Sequence, residues 1–382
     1  MRILQLTKHY PPYFGGIESV TYDLTEGLNK VGVICDVLCC NDKNVEEINK
    51  IDNYLIKRSA SFGKLFSTSI SPSLIFSLKN CWRKYDIIHV HCPDPLTTLA
   101  LFLIRPKTKI IVHWHSDIVK QKYLLKLFMP LQNWLLKRAD AIIGTTDSYI
   151  KYSPQLAKFL DKTVCIPIGI SGKIMNDSEN KAKVIQSQYF NKKIVFTLGR
   201  LIYYKGFEYL IEASKYLPDD FVVLIGGVGI LKISLQSQID RSGLSERVKL
   251  IGRIKEEELG NYFAASSIFC LPSVERSEAF GVVLLEAMQV GKPVIATEIE
   301  GSGVPWVNQH GLTGYNVPVR DPEALAKNIM AVVSDEDLYR QFSANSKKRF
   351  LNYFTADKMV SEVLKLYQSL MENESKYQYL ED

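Results

Sequence analysis

Short apolar runs alternate with stretches of helical length along almost the whole chain, the pattern of βαβ units on parallel sheets. In the first part, strands are predicted at 3–6, 33–38, 87–91, 110–113, 141–144 and 164–166, with helices in the gaps. The stretch 169–191, GISGKIMNDSENKAKVIQSQYFN, is polar and lacks sustained apolar periodicity, as a connector between domains would. A second series then begins with KKIVFTLGR, FVVLIGG, RVKLIGR, SSIFCLP, KPVIAT and TGYNV, interleaved with helical patterns such as FEYLIEASKYL. The helical stretch 355–371 has no strand after it and is free to return to the first domain. The pattern therefore predicts an α/β protein of two doubly wound domains, 1–170 and 192–354, with a linker at 171–191 and a returning helix at 355–382.

Length agrees, since single cores stop growing well below 382 residues. The composition, 46% hydrophobic and 23% charged, is that of a folded globular chain. The N-terminus meets Lys8 and two prolines too early for the apolar core of a signal peptide, and the apolar run 96–104 is short of the roughly 20 residues that cross a bilayer. Seven cysteines without a C-x-x-C pair read as small buried hydrophobes of a reducing compartment, so the expected location is the cytoplasm. Charge is uneven: residues 1–170 carry 22 Lys+Arg against 14 Asp+Glu, whereas the overall net charge is +6. The basic, aromatic stretch 119–138, VKQKYLLKLFMPLQNWLLKR, has two readings. It suits the surface of an anionic membrane, or it is a helix packed on its own sheet with solvated lysines outward. No nucleic-acid reading motif accompanies it, and no nucleic-acid partner is expected.

In open parallel sheets ligands bind beyond the carboxyl ends of the strands, so the chemistry is sought in strand-to-helix loops. In TKHYPPYFGG, Gly15 and Gly16 stand where the first N–H groups of a helix would meet a diphosphate; a plain turn is the competing account. In GRLIYYKG, Arg200 and Lys205 follow a strand and suit the phosphates of a nucleotide sugar, unless the loop is merely solvated. In SEAFGVVLLEAM, Glu278 and Glu286 stand eight apart, Glu286 within an otherwise apolar helical face where an unpaired carboxylate is costly and a ribose diol would relieve it. Glu278 precedes that helix, where its carboxylate and the first backbone N–H groups could reach a sugar. Lys205 and Glu278 are both expected in a solvent-accessible cleft. Two H-x-H pairs, His89 with His91 and His113 with His115, lie on neighbouring predicted strands and could be read as metal ligands. No carboxylate or cysteine completes a set at clear spacing, although Asp94 and Asp117 are near, and polar strand ends lining a cleft, with His115 against a substrate hydroxyl, are the reading taken.

With these motifs in this order, the chain resembles glycosyltransferase family 4, the retaining transferases of GT-B fold, over essentially its whole length. The resemblance rests on Gly15 and Gly16, GRLIYYKG, LIGG, LIGRI, the pair Glu278 and Glu286, and the C-terminal helix. It implies two Rossmann-like domains facing a central cleft, the first binding the acceptor and the second the nucleotide sugar. It also implies that Gly16 faces the donor diphosphate, that Arg200 and Lys205 clamp it, and that Glu286 holds the ribose. Glu278 and the backbone of Ala279, Phe280, Gly281 and Val282 would contact the donor sugar with His115 beside it, and Arg253 and Ile254 would flank the base. Catalysis falls to Glu278, His115, Arg200 and Lys205, with no metal and no other cofactor. The similar enzymes of O-antigen and capsule assembly imply GDP-mannose as donor, a polyprenyl-diphosphate-linked glycan as acceptor, and the cytoplasmic face of the inner membrane as the place of work. A UDP-sugar transferase of the same family, a sugar-nucleotide epimerase or hydrolase on this scaffold, and a non-catalytic binding protein are the alternatives.

Overall fold

The computed structural model describes residues 1–13, 15–65, 68–118, 122–172, 178–190 and 192–378. The chain divides into two compact units, Met1–Ser171 together with the chain from Ala356 onward, and Gly172–Thr355.

In the first unit, β1 (Arg2–Leu6), β2 (Ile34–Cys40), β3 (Glu47–Ile51), β4 (Tyr54–Ser59), β7 (Ile87–Cys92), β8 (Lys109–Trp114), β9 (Ala141–Gly144) and β10 (Thr163–Cys165) form one sheet in the order β10-β9-β8-β7-β1-β2-β4-β3. A small separate ladder joins β5 (Lys64–Leu65) to β6 (Thr68–Ser69). All neighbours in the large sheet run parallel except the edge pair of β3 and β4. The central strands are apolar and buried almost without break, as parallel strands covered on both faces must be. Their connections are α1 (Gly16–Lys30), α2 (Pro72–Cys81), α3 (Pro95–Ile104), α4 (Lys122–Arg138) and α5 (Asp147–Tyr152).

The β3–β4 hairpin was not predicted from the sequence. On β3 only Glu47 escapes full exposure, so the strand has no apolar stripe to reveal it; the turn is set by Asp52 at φ 45°.

The second unit carries β11 (Lys193–Leu198), β12 (Phe221–Gly226), β13 (Val248–Gly252), β14 (Ile268–Leu271), β15 (Val294–Thr297) and β16 (Gly314–Val317), all parallel, in the order β13-β12-β11-β14-β15-β16. Its helices are α6 (Ser178–Gln188), α7 (Phe207–Ala213), α8 (Lys232–Arg241), α9 (Glu256–Ala265), α10 (Val282–Gln289), α11 (Val304–Val307), α12 (Pro322–Ser334) and α13 (Glu336–Tyr353). One face of the sheet packs against α7, α8 and α12 in a single apolar core. The stretch 171–191, read above as a connector, differs in the structure: it holds α6, which packs on α9 through buried Ala182 and Ile185 and through Gln186 Nε2, donor to Ala265 O at 3.2 Å.

The last helix, α14 (Ala356–Gln378), belongs to the first unit. Its start is tied down by Ala356 N–H donating to Ile170 O at 2.9 Å. Met359, Val360, Val363 and Tyr367 form a buried stripe at helical spacing. That stripe needs a close neighbour without a side chain: a Cβ on Gly27 of α1 would lie 2.4 Å from Val360 Cγ2. Among the described residues, no helix is long and apolar enough to cross a membrane.

Candidate functional site

In the second unit the strand order reverses between β11 and β14, the place where an open parallel sheet leaves a crevice at its carboxyl edge. The loop from β11 passes Gly199 and Arg200 to a tight turn, Tyr203–Lys205. The loop from β14 carries Ser273 and Glu278 to Gly281, which precedes α10 at φ 77°. A backbone bond, Val274 N–H to Tyr204 O at 2.8 Å, joins the two loops. Gly206 permits the approach, because at φ 66° its Cβ would stand 2.1 Å from Pro272 O.

Across this junction Lys205 Nζ donates to Glu278 Oε2 at 2.6 Å, and Ser273 Oγ donates to the same oxygen at 2.9 Å. The residues are only 8% and 7% exposed. That corrects the expectation of two solvent-accessible groups: Lys205 and Glu278 are a buried, charge-assisted pair. Glu278 is held further by its carbonyl, which accepts from Ser302 Oγ. Its Oε1 has no hydrogen-bond partner among the described residues.

The other residues of this unit divide into reachable and structural. Arg200 is exposed beside the pair, and its guanidinium makes no ion pair among the described residues. Arg253 is exposed just beyond β13, and Ile254 folds over the end of β12, where a Cβ on Gly226 would lie 2.8 Å from Ile254 Cδ1. Phe280 is buried against the rings of Trp306 and Phe354, so it offers a ligand its backbone alone. Ala279 is buried with its carbonyl accepting from Gly303 N–H at 2.7 Å. Val282 opens α10, whose first N–H groups have no partner within the helix. Glu286 is half-buried on the flank of α10 and not within its apolar face, which is Leu284, Leu285 and Met288.

In the first unit the reversal lies between β1 and β7. Gly15 caps α1 in extended conformation at φ −166°, and Gly16 begins it; both are exposed, and a Cβ on Gly16 would meet nothing within 4 Å. A Cβ on Gly15 would lie 2.4 Å from Glu18 Oε2, so a carboxylate of the first turn stands at this helix N-terminus. His115 follows β8 and is buried, its N–H donating to Cys92 O at 2.9 Å.

The four histidines form one stacked cluster on a single sheet face. In register, Gln5 lies opposite His89 and His91 opposite His113. His115 Nε2 meets His91 Nδ1 at 2.8 Å, and His91 Nε2 meets Gln5 Oε1 at 2.9 Å. His89 Nε2 meets His113 Nδ1 at 3.2 Å, and His89 Nδ1 meets Tyr367 Oη of α14 at 2.6 Å. Burial keeps all four neutral: it pushes His113 down to about 3, and it lowers His89, His91 and His115 well below the ordinary value, with neighbouring histidines adding to the effect. Nitrogens of His89, His91 and His113 lie within 4.8 Å of one another, as ligands of one ion could. Both ring nitrogens of His89 and of His91 are already hydrogen-bonded, and of these three rings only His113, at Nε2, has a nitrogen without a partner among the described residues. The arrangement as it stands is a hydrogen-bonded ladder, and a cation would have to replace its bonds.

Two polar groups here escaped the sequence reading, and a third, Asp94, was noted there only as lying near the histidines. Gln5 is a lone amide in the apolar strand RILQL, and that isolation is the signal that could have marked it. Ser273 gives no signal before the fold brings it to Glu278. Asp94, at the mouth of the first unit, caps α3 by accepting from Leu96 N–H at 3.3 Å. Burial raises its pKa while Lys8 opposes the rise, and its Oδ2 has no hydrogen bond among the described residues.

Two doubly wound units, each with polar groups at the carboxyl edge of its sheet, are the architecture of the GT-B glycosyltransferases. The family models agree: residues 14–171 match "Glycosyltransferase Family 4" and residues 178–349 match "Glycosyl transferases group 1". The chain is 34% identical to O-antigen chain mannosyltransferase C of Escherichia coli, over 98% of this chain and 100% of that protein. It is 30% identical to the D-rhamnosyltransferase WbpZ of Pseudomonas aeruginosa, over 93% of each. Among solved structures, sucrose-phosphate synthase from Thermosynechococcus elongatus superposes with a TM-score of 0.82, covering 97% of this chain and 99% of that one at 21% identity. The chain belongs to glycosyltransferase family 4.

Proposed function

We propose that this glycosyltransferase moves mannose from GDP-mannose, with retention of configuration, onto a polyprenyl-diphosphate-linked saccharide during assembly of an O-antigen or similar surface polysaccharide. The observation that carries the reading is end-to-end similarity to an O-antigen chain mannosyltransferase, joined to the Lys205–Glu278 pair at the strand-order reversal. Arg200 and the first N–H groups of α10 take the donor diphosphate, and Lys205 adds its charge while fixed by Glu278. Glu278 Oε1 accepts from a donor-sugar hydroxyl, Glu286 holds the ribose, and Arg253 and Ile254 flank the base.

The reaction breaks the bond from the anomeric carbon to the diphosphate oxygen and forms one from that carbon to the acceptor oxygen on the same face. The acceptor's proton goes to the departing diphosphate, which the cations stabilise. No metal is needed for this, because fixed cations and helix N–H groups supply the charge. Exposed Lys126, Leu127 and Met129 on α4 suit contact with an anionic inner leaflet, where the acceptor lipid resides. Residues 119–121 of that basic stretch lie outside the described residues.

The test is thermal shift of the purified protein with GDP, UDP, ADP and their sugar conjugates, in EDTA throughout. A ligand held only by the folded state raises the melting temperature with its concentration. The expected result is stabilisation by GDP and GDP-mannose. Stabilisation by uridine nucleotides alone would replace the donor, and loss of every shift in EDTA would overturn metal independence.

A further inference from the structure

The mannosyl-transfer reading leaves unexplained why His115 is held by a second buried histidine and an amide, and the hydrogen bonds themselves supply an answer. The Gln5 amide nitrogen donates to Cys35 Sγ at 3.5 Å. Its Oε1 is therefore the atom turned to His91 Nε2, at 2.9 Å. A carbonyl oxygen only accepts, so His91 carries its proton on Nε2. A neutral imidazole has one N–H, which leaves His91 Nδ1 as a bare lone pair. That lone pair lies 2.8 Å from His115 Nε2, which must then be the protonated nitrogen of His115. Nδ1 of His115 is left bare, with no partner among the described residues.

We propose that Gln5 and His91 are positioning residues that lock His115 in its Nε2-protonated tautomer, so that the ring atom it offers to a ligand is a fixed hydrogen-bond acceptor. The consequence is selective. His115 Nδ1 accepts from a hydroxyl, the group a sugar presents, and gives nothing to a phosphate, carboxylate or carbonyl oxygen, which needs a donor. Stacking on His113 at 4.2 Å between ring centroids and the backbone bond to Cys92 hold the ring in place, so the acceptor is aimed as well as fixed. The ligand in this inference rests on the mannosyl-transfer reading; the tautomer does not.

The experiment labels only histidine ring nitrogens isotopically, and long-range nitrogen–proton spectra at neutral pH report which nitrogen of each ring bears the proton. The chain has six histidines, so the spectrum is sparse and single substitutions assign it. The expected result is Nε2–H with bare Nδ1 for both His91 and His115. Gln5→Leu and His91→Leu release His115 into a mixture of tautomers, whereas His91→Asn, which places an amide oxygen where Nδ1 stood, retains the native form. In the transfer assay kcat/KM for GDP-mannose falls in the two leucine variants by the inverse of the fraction left in the Nε2–H form, about twofold for an even mixture, and recovers in His91→Asn. Nδ1–H on His115 in the unaltered protein, or a tautomer indifferent to Gln5→Leu, overturns the inference. If the unaltered protein does not turn over GDP-mannose, the transferase reading fails separately while the ring spectra still decide the relay.

Discussion

Lys205 and Glu278 make a double-mutant cycle with a sharp expectation. Their side chains are 11% and 9% exposed, and Lys205 Nζ stands 2.6 Å from Glu278 Oε2, so each charge depends on the other for the solvation that burial removed. Taking away one partner strands the other: Lys205→Met or Glu278→Leu should each cost about 3–5 kcal/mol. For a domain of this size about 2–4 °C is lost per kcal/mol, which puts the melting transition of the second unit lower by about 6–20 °C. The combined variant Lys205→Met/Glu278→Leu leaves no charge behind, only Ser273 Oγ without its acceptor. It should be more stable than either single variant, with a coupling of about 2 kcal/mol or more. Denaturant unfolding of the four proteins, followed by calorimetry, measures the cycle. Additive losses, or single variants within about 1 kcal/mol of the parent, would refute the claim that burial makes the pair interdependent. Turnover, read where all four are folded, should be absent in all three variants.

Three further outcomes are expected. Gly27→Ala puts a methyl 2.4 Å from Val360 Cγ2 and should cost about 1–3 kcal/mol as α14 is pushed off α1, with Val360→Ala restoring most of it in thermal melts; an unchanged melt would place that helix contact elsewhere. The buried histidines have folded values below the unfolded 6.5, so the unfolded chain binds more protons and stability present above pH 6.5 falls on acidification, by up to about 1.4 kcal/mol per pH unit for each histidine. Urea unfolding between about pH 7 and pH 5 reads that slope, His113→Phe should reduce it, and a flat profile would contradict the neutral cluster. Lys126→Glu with Leu127→Glu should weaken sedimentation with phosphatidylglycerol vesicles about tenfold or more, and unchanged binding would return α4 to an ordinary solvated helix.

What the sequence revealed follows from how each element is buried. The four central strands of the second unit, β11, β12, β14 and β15, stood out because parallel strands covered on both faces are largely apolar runs. The edge strand β3 and helix α6 did not, since one buries almost nothing and the other, among the described residues, only Ala182 and Ile185. Strand alternation placed His89 with His91 on one face, but their tie to Gln5 and Tyr367 is made by residues far away in sequence. Glu278 read as a helix-start acid because its partner lies 73 residues earlier, and no local pattern carries that pairing.

Both units place their costliest polar groups at the same topological position, where strand order turns: Gln5 and the histidines on β1, β7 and β8, and Lys205 with Glu278 between the loops of β11 and β14. Neither set is required by the fold, because leucine or phenylalanine would fill such positions without desolvation cost. The function proposed above gives them a role toward a ligand that would account for their place in cores this apolar. The separation is visible in the cycle above: if Lys205→Met/Glu278→Leu recovers stability while turnover stays lost, the pair serves the reaction at the expense of the fold. If stability does not return, the pair is a structural element that the site merely borrows.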